Sequence, residues 1–248
     1  SMLVGFAIQD GFIESEEDLV TKYVPELKER GFDKVSLKHL LQMTSGMEFN
    51  ESYVNPFGHA AKYYYGRNLR KQLTKAKLDG IPGTYFEYQS GQTQLLGLAL
   101  ERALNGKSIT SYLQEKLWTP LGMEYDASWS LDRKKDGLEK TFCCLNARAL
   151  DFAKLGRFYL NKGNWSGKQL LNEDWIEQST KRDTIDGSAV SYQYQWWLKG
   201  SEGDYAARGI LGQYIYVHPE KNIIIVRLGK TYGNTSWTSI FKALAKAY

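Results

Sequence analysis

Cysteine is nearly absent from this 248-residue chain, and the two that occur, Cys143 and Cys144, are adjacent. Neighbouring residues rarely meet disulfide geometry, and two thiols cannot staple a chain of this length. The expectation is a fold held by its apolar core. Long apolar runs are missing as well. None approaches the roughly 18 residues of a membrane-spanning helix, and the first residues lack the charged-then-apolar order of a signal peptide. Charge of one sign is also scarce: 32 Lys and Arg face 28 Asp and Glu, a net +4. The longest basic run is Arg133-Lys134-Lys135. A nucleic-acid surface is therefore not expected. The three histidines, His39, His59 and His218, show no ligand spacing, so no metal site is predicted and they read as structural or surface residues. No phosphate loop or dinucleotide fingerprint is present, so no cofactor is expected. Internal repeats, low-complexity stretches and linkers are missing too.

What the chain does have is ordinary globular composition, 42% hydrophobic and 24% charged, with enough length for a substantial core. Seven Trp and 17 Tyr suit either a core or an aromatic-lined cleft. Met2, Leu3, Phe6 and Ala7 recur at helical spacing, with Gly11 as stop. "EEDLVTKYVPEL" reads as a short helix ending near Pro25. "VSLKHLLQMTSGM" reads as another, with Ser36 as N-cap and Gly46 as terminator. The segment from Glu48 to Gly66 is aromatic and loop-like. A helix is expected over Leu69 to Lys77, the Pro/Gly pattern of "DGIPGTYFEY" is that of a turn, and apolar helices are expected over Thr93 to about Leu104 and Ile109 to Leu117. "NARALDFAKLGRFYLNKG" is amphipathic, with Leu150, Ala153, Leu155, Phe158 and Leu160 as candidate core, and "NEDWIEQST" is a short capped helix. After about Ser188, "YQYQWWLK", "GQYIYVHP" and "NIIIVRLGK" have strand character, with "PEKN" as a hairpin turn. A terminal helix presents Trp237, Ile240, Phe241, Leu244 and Tyr248 on one face. The whole predicts an α+β fold: a single domain over 1–248, helical over about 14–187, with the sheet and terminal helix over about 188–248 joined by the helix at 1–11.

Three ordered blocks carry a resemblance. "VSLKHLLQMTSGM", then "PGTYFEYQSGQTQLLGLALERALNGKSITSYLQEKLWTPLGM", then "ARGILGQYIYVHPEKNIIIVRLG" are similar to segments of the serine hydrolases related to class C β-lactamases and penicillin-binding proteins. The resemblance extends over essentially the whole chain. It implies the transpeptidase-like fold, an antiparallel sheet flanked by helices. Where β-lactamases usually carry Tyr-x-Asn, this chain has Tyr88-Gln89-Ser90. Where a Lys-Thr-Gly would stand, it has Arg208-Gly209-Ile210-Leu211-Gly212-Gln213. Both departures resemble the 6-aminohexanoate-oligomer hydrolases and related esterases.

Acyl transfer in that family needs a serine and, one helical turn later, a lysine on the same face, Ser-x-x-Lys. The resemblance places this pair at the start of a helix whose continuation is similar to "SMLVGFAIQDGFI", residues 1–13. Ser1 does not supply it, because position 4 is Val4. The expectation carried forward is that no serine of the chain has a lysine three residues on and that the pair lies upstream of Ser1. Two N-terminal strands would be missing with it, leaving about three strands, an open sheet edge and an association with the missing segment or another chain. Tyr88 is then implied as proton relay, and Gly209 and Ile210 as backbone N–H groups, with Ile210 the oxyanion-hole donor. Ser90, Tyr64, Trp197 and Gln213 are implied as substrate-binding. Ser90 has an equally good reading as a helix N-cap, Gly209 as a β-bulge glycine, and Trp196 or Trp197 packs under a helix, since neighbours alternate across a strand. The implied activity is hydrolysis of a small-molecule amide or ester through an acyl-serine. A catalytically inactive binding or sensor domain, and a β-lactamase or D,D-peptidase, are the alternatives. The resemblance favours the cell envelope over the cytoplasm.

Overall fold

The computed structural model describes residues 1–198 and 202–248. They fall into two compact units that interleave along the chain. One comprises Ser1–Lys116, Ser128–Leu145 and Asp183–Ala189; the other comprises Leu117–Ala127, Asn146–Arg182 and Val190–Tyr248.

The first unit is helical. Helix α1 (Met2–Gln9) buries Leu3, Val4, Phe6 and Ala7, and Gly11 follows it at φ 77°. The short α2 (Val20–Tyr23) leads into a 3₁₀ turn opened by Pro25. Helix α3 (Leu37–Gln42) begins with a reciprocal capping box. The His39 N–H donates to Ser36 Oγ at 3.2 Å, and the Ser36 N–H donates to His39 Nδ1 at 3.1 Å, so two orphan donors of the first turn are satisfied. The helix ends at Met43, whose left-handed φ of 61° turns its N–H back to the His39 and Leu40 carbonyls. This corrects the expectation of Gly46 as terminator. Gly46 serves a close backbone approach instead, since a Cβ there would lie 2.6 Å from the Gly80 carbonyl.

Helix α4 (His59–Tyr65) forms inside the segment expected to be loop. The helix expected over Leu69 to Lys77 shortens to α5 (Leu69–Leu73), capped by Asn68. Helix α6 (Ser90–Ala103) is the centre of the unit, with eleven of its fourteen residues buried. Its buried amides are spent on backbone, as buried polar groups must be. Gln94 Nε2 donates to the Glu139 carbonyl at 2.9 Å, and its Oε1 accepts the Thr141 N–H at 2.9 Å. Gln92 Oε1 accepts the Ser45 N–H at 3.1 Å. Helix α7 (Ile109–Leu113) follows and widens into a π turn at Gln114–Trp118.

Short strands β1 (Ser128–Trp129) and β2 (Leu145–Asn146) flank the two cysteines. The structure joins Cys143 to Cys144 in a disulfide, which corrects the expectation that adjacent cysteines would stay unbridged. Cys144 has a positive φ of 75°.

The second unit is built on a sheet. Helix α8 (Ala149–Leu160), the ribbon of β3 (Asn164–Trp165) and β4 (Lys168–Gln169), and helix α9 (Glu173–Thr180) precede it. Five antiparallel strands then follow in spatial order: β5 (Tyr192–Gln193), β6 (Trp196–Trp197), β7 (Tyr205–Gly209), β8 (Gln213–His218) and β9 (Ile223–Arg227). Among the described residues the expected three strands are thus corrected to five, because "YQYQWW" folds into a hairpin through Tyr194 and Gln195, both at positive φ, and Tyr205–Gly209 adds a further strand. Lys199, the end of that expected strand, lies outside the described residues. The "PEKN" turn stands as read, closing β8 to β9 with His218 opposite Ile223. Among the described residues β9 has only β8 as partner, so its outer edge is open.

Side-chain alternation assigns the two faces. Tyr214, Tyr216, Ile223 and Ile225 point to the terminal helix α10 (Trp237–Ala247), where Trp237, Phe241 and Ala245 meet them. On the other face, Gly156 of α8 lies against Ile215, Val217 and Ile224. Leu155 and Phe158 of α8 are buried as expected, whereas Leu150 is 65% exposed in the first turn. In α10 the apolar face is narrower than its sequence suggests, since Ile240, Leu244 and Tyr248 are exposed. Among the described residues no helix is long and apolar enough to cross a membrane.

Candidate active site

Tyr88 stands two residues before α6, in extended chain leading to Gln89, which occupies the N-cap position with φ −143° and ψ 127° but gives no side-chain cap. Ser90 is the first helical residue and not the cap, a correction to that reading. The first turn is capped from a distance. The Ser90 N–H donates to Glu51 Oε2 at 2.7 Å, and the Ser90 hydroxyl donates to Glu51 Oε1 at 2.5 Å. The Tyr53 hydroxyl donates to the same Oε1 at 2.5 Å. A carboxylate at a helix N-terminus also meets the positive end of the helix dipole. Tyr88 itself is 38% exposed. Desolvation of the phenol, reinforced by the negative charge of Glu51, holds its pKa above the ordinary 10.0. Tyr53 is shifted upward by burial first, then by its hydrogen bond to Glu51 and that carboxylate's charge.

Beside Glu51 opens a cavity of about 390 Å³, lined by Glu48, Phe49, Asn50, Glu51, His59, Asp79 and Glu87. Its volume is that of a small-molecule pocket, and four carboxylates against one imidazole make it electronegative. Of the three successive tyrosines on α4, Tyr63 is buried edge-on against Phe49 at 5.1 Å. Tyr64 is 47% exposed and lies against Tyr65, with the Lys140 ammonium 5.2 Å from its ring centroid. Lys140 Nζ also donates to the Tyr64 carbonyl at 2.6 Å. Tyr65 is 79% exposed. His39 belongs to the α3 cap, and His59 Nδ1 accepts the Asn50 N–H at 2.9 Å. Both are structural, as is the buried His218, 3.2 Å from Glu202. Among the described residues no group of three or more His, Cys, Asp or Glu is placed to hold a metal ion.

In the sheet unit, Gly209, Ile210 and Gln213 lie on one hairpin. Gly209 pairs with Gln213 in regular register, so the β-bulge reading of Gly209 is corrected. A Cβ at 209 would lie 3.1 Å from that of Gln213, a tight approach that glycine relieves. The intervening loop turns through Leu211 (φ 62°) and Gly212 (φ 76°), leaving Ile210 49% exposed and Gln213 at the surface. Arg227 of β9 braces this loop. Its Nη1 donates to the Gly212 carbonyl, and its guanidinium stacks on Trp237 at 3.7 Å. Trp197, half-buried on β6, meets Tyr192 edge-on at 4.9 Å and the Arg208 guanidinium at 5.2 Å. Its neighbour Trp196 is buried against Tyr159 of α8 at 4.5 Å, as alternation requires.

One expectation about the nucleophile fails on the sequence itself. Ser239-Ile240-Phe241-Lys242 has the Ser-x-x-Lys spacing. It lies in the first half of α10, with the exposed Ser239 hydroxyl bonded to Ser236 at 2.8 Å and the Lys242 ammonium 3.9 Å from Asp204. Each partner engages a different group, which is unlike a serine–base pair.

Sequence reasoning missed Glu51, Tyr53 and Arg227. Nothing local ties Glu51 to a helix that begins 39 residues later. Arg227, by contrast, was visible as the single charge within the apolar run of β9.

Comparison with known proteins agrees with this architecture. The β-lactamase family model matches residues 8–247, and the chain belongs to that family. A 6-aminohexanoate-dimer hydrolase from Paenarthrobacter ureafaciens is 30% identical, over 91% of this chain and 62% of the relative. A Salmonella agona protein assigned as a D-alanyl-D-alanine carboxypeptidase is 19% identical, over 96% of this chain and 63% of its own length. The chain thus spans about three-fifths of the length of these curated relatives. A structure assigned as a 6-aminohexanoate-dimer hydrolase from Bacillus anthracis superposes with a TM-score of 0.85 at 25% identity, over 99% of this chain and 69% of the other. A family VIII carboxylesterase shares the fold at a TM-score of 0.72 and 17% identity, over 99% and 80%.

Proposed function

We propose that this chain forms part of a serine hydrolase that cleaves amide or ester bonds of small molecules through an acyl-serine. The observation that carries the reading is Tyr88, a phenol two residues before the buried helix α6 in a β-lactamase-family chain. In this reading Tyr88 relays the proton from the nucleophilic serine to the leaving group, and Ile210 donates its backbone N–H to the developing oxyanion. Ser90, Tyr64, Trp197 and Gln213 contribute to substrate binding. The nucleophile and its lysine are assigned, on the resemblance of residues 1–13 to the continuation of the nucleophile-bearing helix, to sequence preceding Ser1. Strands from the same segment would occupy the open edge of β9, a costly feature if left bare.

The 30% identity to a 6-aminohexanoate-dimer hydrolase supports an amidase or esterase over a penicillin-hydrolysing or D,D-peptidase activity. So does Arg208-Gly209-Ile210 in place of the Lys-Thr-Gly that would hold a carboxylate. The electronegative cavity beside Glu51 points the same way. The test is intact-mass analysis of the complete gene product after mixing with a p-nitrophenyl ester. An added acyl mass on a serine is expected. Absence of both adduct and turnover would leave an inactive binding or sensor domain as the better reading.

A further inference from the structure

Glu51 reaches Ser90 from the loop between α3 and α4, and its carboxylate receives three hydrogen bonds from two hydroxyls and one amide. An ionised carboxylate has no proton to give, so Ser90 and Tyr53 must both donate to it. The Ser90 proton is thereby committed to Glu51. The oxygen retains only lone pairs for any further partner. A serine with a free hydroxyl rotor could present either polarity, and the amide of an asparagine presents both. At this position the carboxylate removes the choice, by charge-assisted bonds that are stronger than neutral ones. The same carboxylate sets a negative charge near the Tyr88 phenol.

We propose that Glu51 is a positioning residue of the hydrolase site: it fixes the Ser90 hydroxyl as a hydrogen-bond acceptor beside Tyr88, ready for an N–H or ammonium donor of the reacting groups. This rests on the hydrolase reading above. A purely structural role, capping α6 where Gln89 does not, is the competing account. Glu51→Gln separates the two. Glutamine offers one acceptor where the carboxylate offers two: with its carbonyl on the Ser90 N–H, its N–H₂ faces the two hydroxyls and the Ser90 proton is released, whereas the reverse orientation sets N–H₂ against the Ser90 N–H and loses the cap.

The measurement is kcat and KM of the complete gene product on a p-nitrophenyl ester, taken well below the melting temperature of each variant. Glu51→Gln is expected to lower kcat about tenfold or more, the equivalent of one hydrogen bond to a charged group, with KM within twofold. Ser90→Ala is expected to lower kcat similarly, and the double variant to lose no more than the larger single loss. Unchanged kcat with a lowered melting temperature would make Glu51 a helix cap only. A Glu51→Gln loss that persists in full on the Ser90→Ala background would show that it does not act through Ser90. If Glu51→Gln does not fold, Ser90→Ala carries the test alone. It keeps the amide bond to Glu51 and hence the cap, so an unchanged kcat overturns the proposal. An inactive wild type would remove the hydrolase reading and this role together, whereas an active wild type with an indifferent Glu51 removes only the role.

Discussion

His39 shows how much one side chain can carry in the cap of a six-residue helix. Its ring nitrogen accepts the Ser36 N–H, and that acceptor exists only while Nδ1 is unprotonated. Burial, the largest cause, lowers the imidazole from its ordinary 6.5, against the opposing charges of Asp186 and Glu17. The unfolded chain therefore binds a proton that the folded chain refuses. The stability contribution is complete above about pH 6.5 and is lost as pH falls through the lower folded value. A melting temperature that declines below about pH 6.5 is expected. Its decline should be shallower in His39→Gln, since glutamine also closes a capping box. Identical acid profiles for the two proteins would show that His39 does not set this response.

At the scale of elements, the packing of α8 on the sheet depends on a missing side chain. Gly156 faces Ile224 and Ile215, and a Cβ built on it would lie 2.8 Å and 3.0 Å from their methyl groups. Gly156→Leu should push the helix off the sheet and cost about 1–3 kcal/mol, the usual penalty of overpacking. Urea unfolding should report a lower midpoint with an unchanged slope. A midpoint equal to wild type would mean that the helix has room to spare. The β7–β8 hairpin is a second element that depends on its neighbour. Its loop at 210–212 has two left-handed residues and is held by Arg227 from β9. The geometry of the Ile210 N–H is thus a property of three strands.

For the molecule as a whole, the many buried tyrosines set the alkaline limit. Burial is the first cause raising the phenols of Tyr63, Tyr112, Tyr205 and Tyr216 above 10.0. In the unfolded chain these groups lose their protons near pH 10, while the folded chain holds them, so stability falls as pH rises beyond that point. The melting temperature should be level from neutral pH to about pH 10 and then drop. A level profile to higher pH would contradict the burial of these hydroxyls.

Much of this was legible in the sequence where local signals are strong. Ser36 at its cap and the "PEKN" hairpin are short-range patterns, and the structure places them as read. What was hidden depended on tertiary contact. Helix α4 is stabilised by burial of Ala60 and Tyr63 inside a stretch whose local pattern reads as loop. The β5–β6 hairpin is too short for alternation to register. Glu51 finds Ser90 only once the chain has folded. The role of Ser239 and Lys242 likewise turns on their partners, because spacing alone does not distinguish a serine–lysine pair from two helix residues with separate neighbours.

The most direct measurement of the central claim is ester turnover by the complete gene product, comparing wild type, Tyr88→Phe and Ser239→Ala. Loss of a proton-relay hydroxyl should lower kcat about 10²-fold or more, while Ser239→Ala should match wild type. Equal turnover by Tyr88→Phe and wild type would contradict the account.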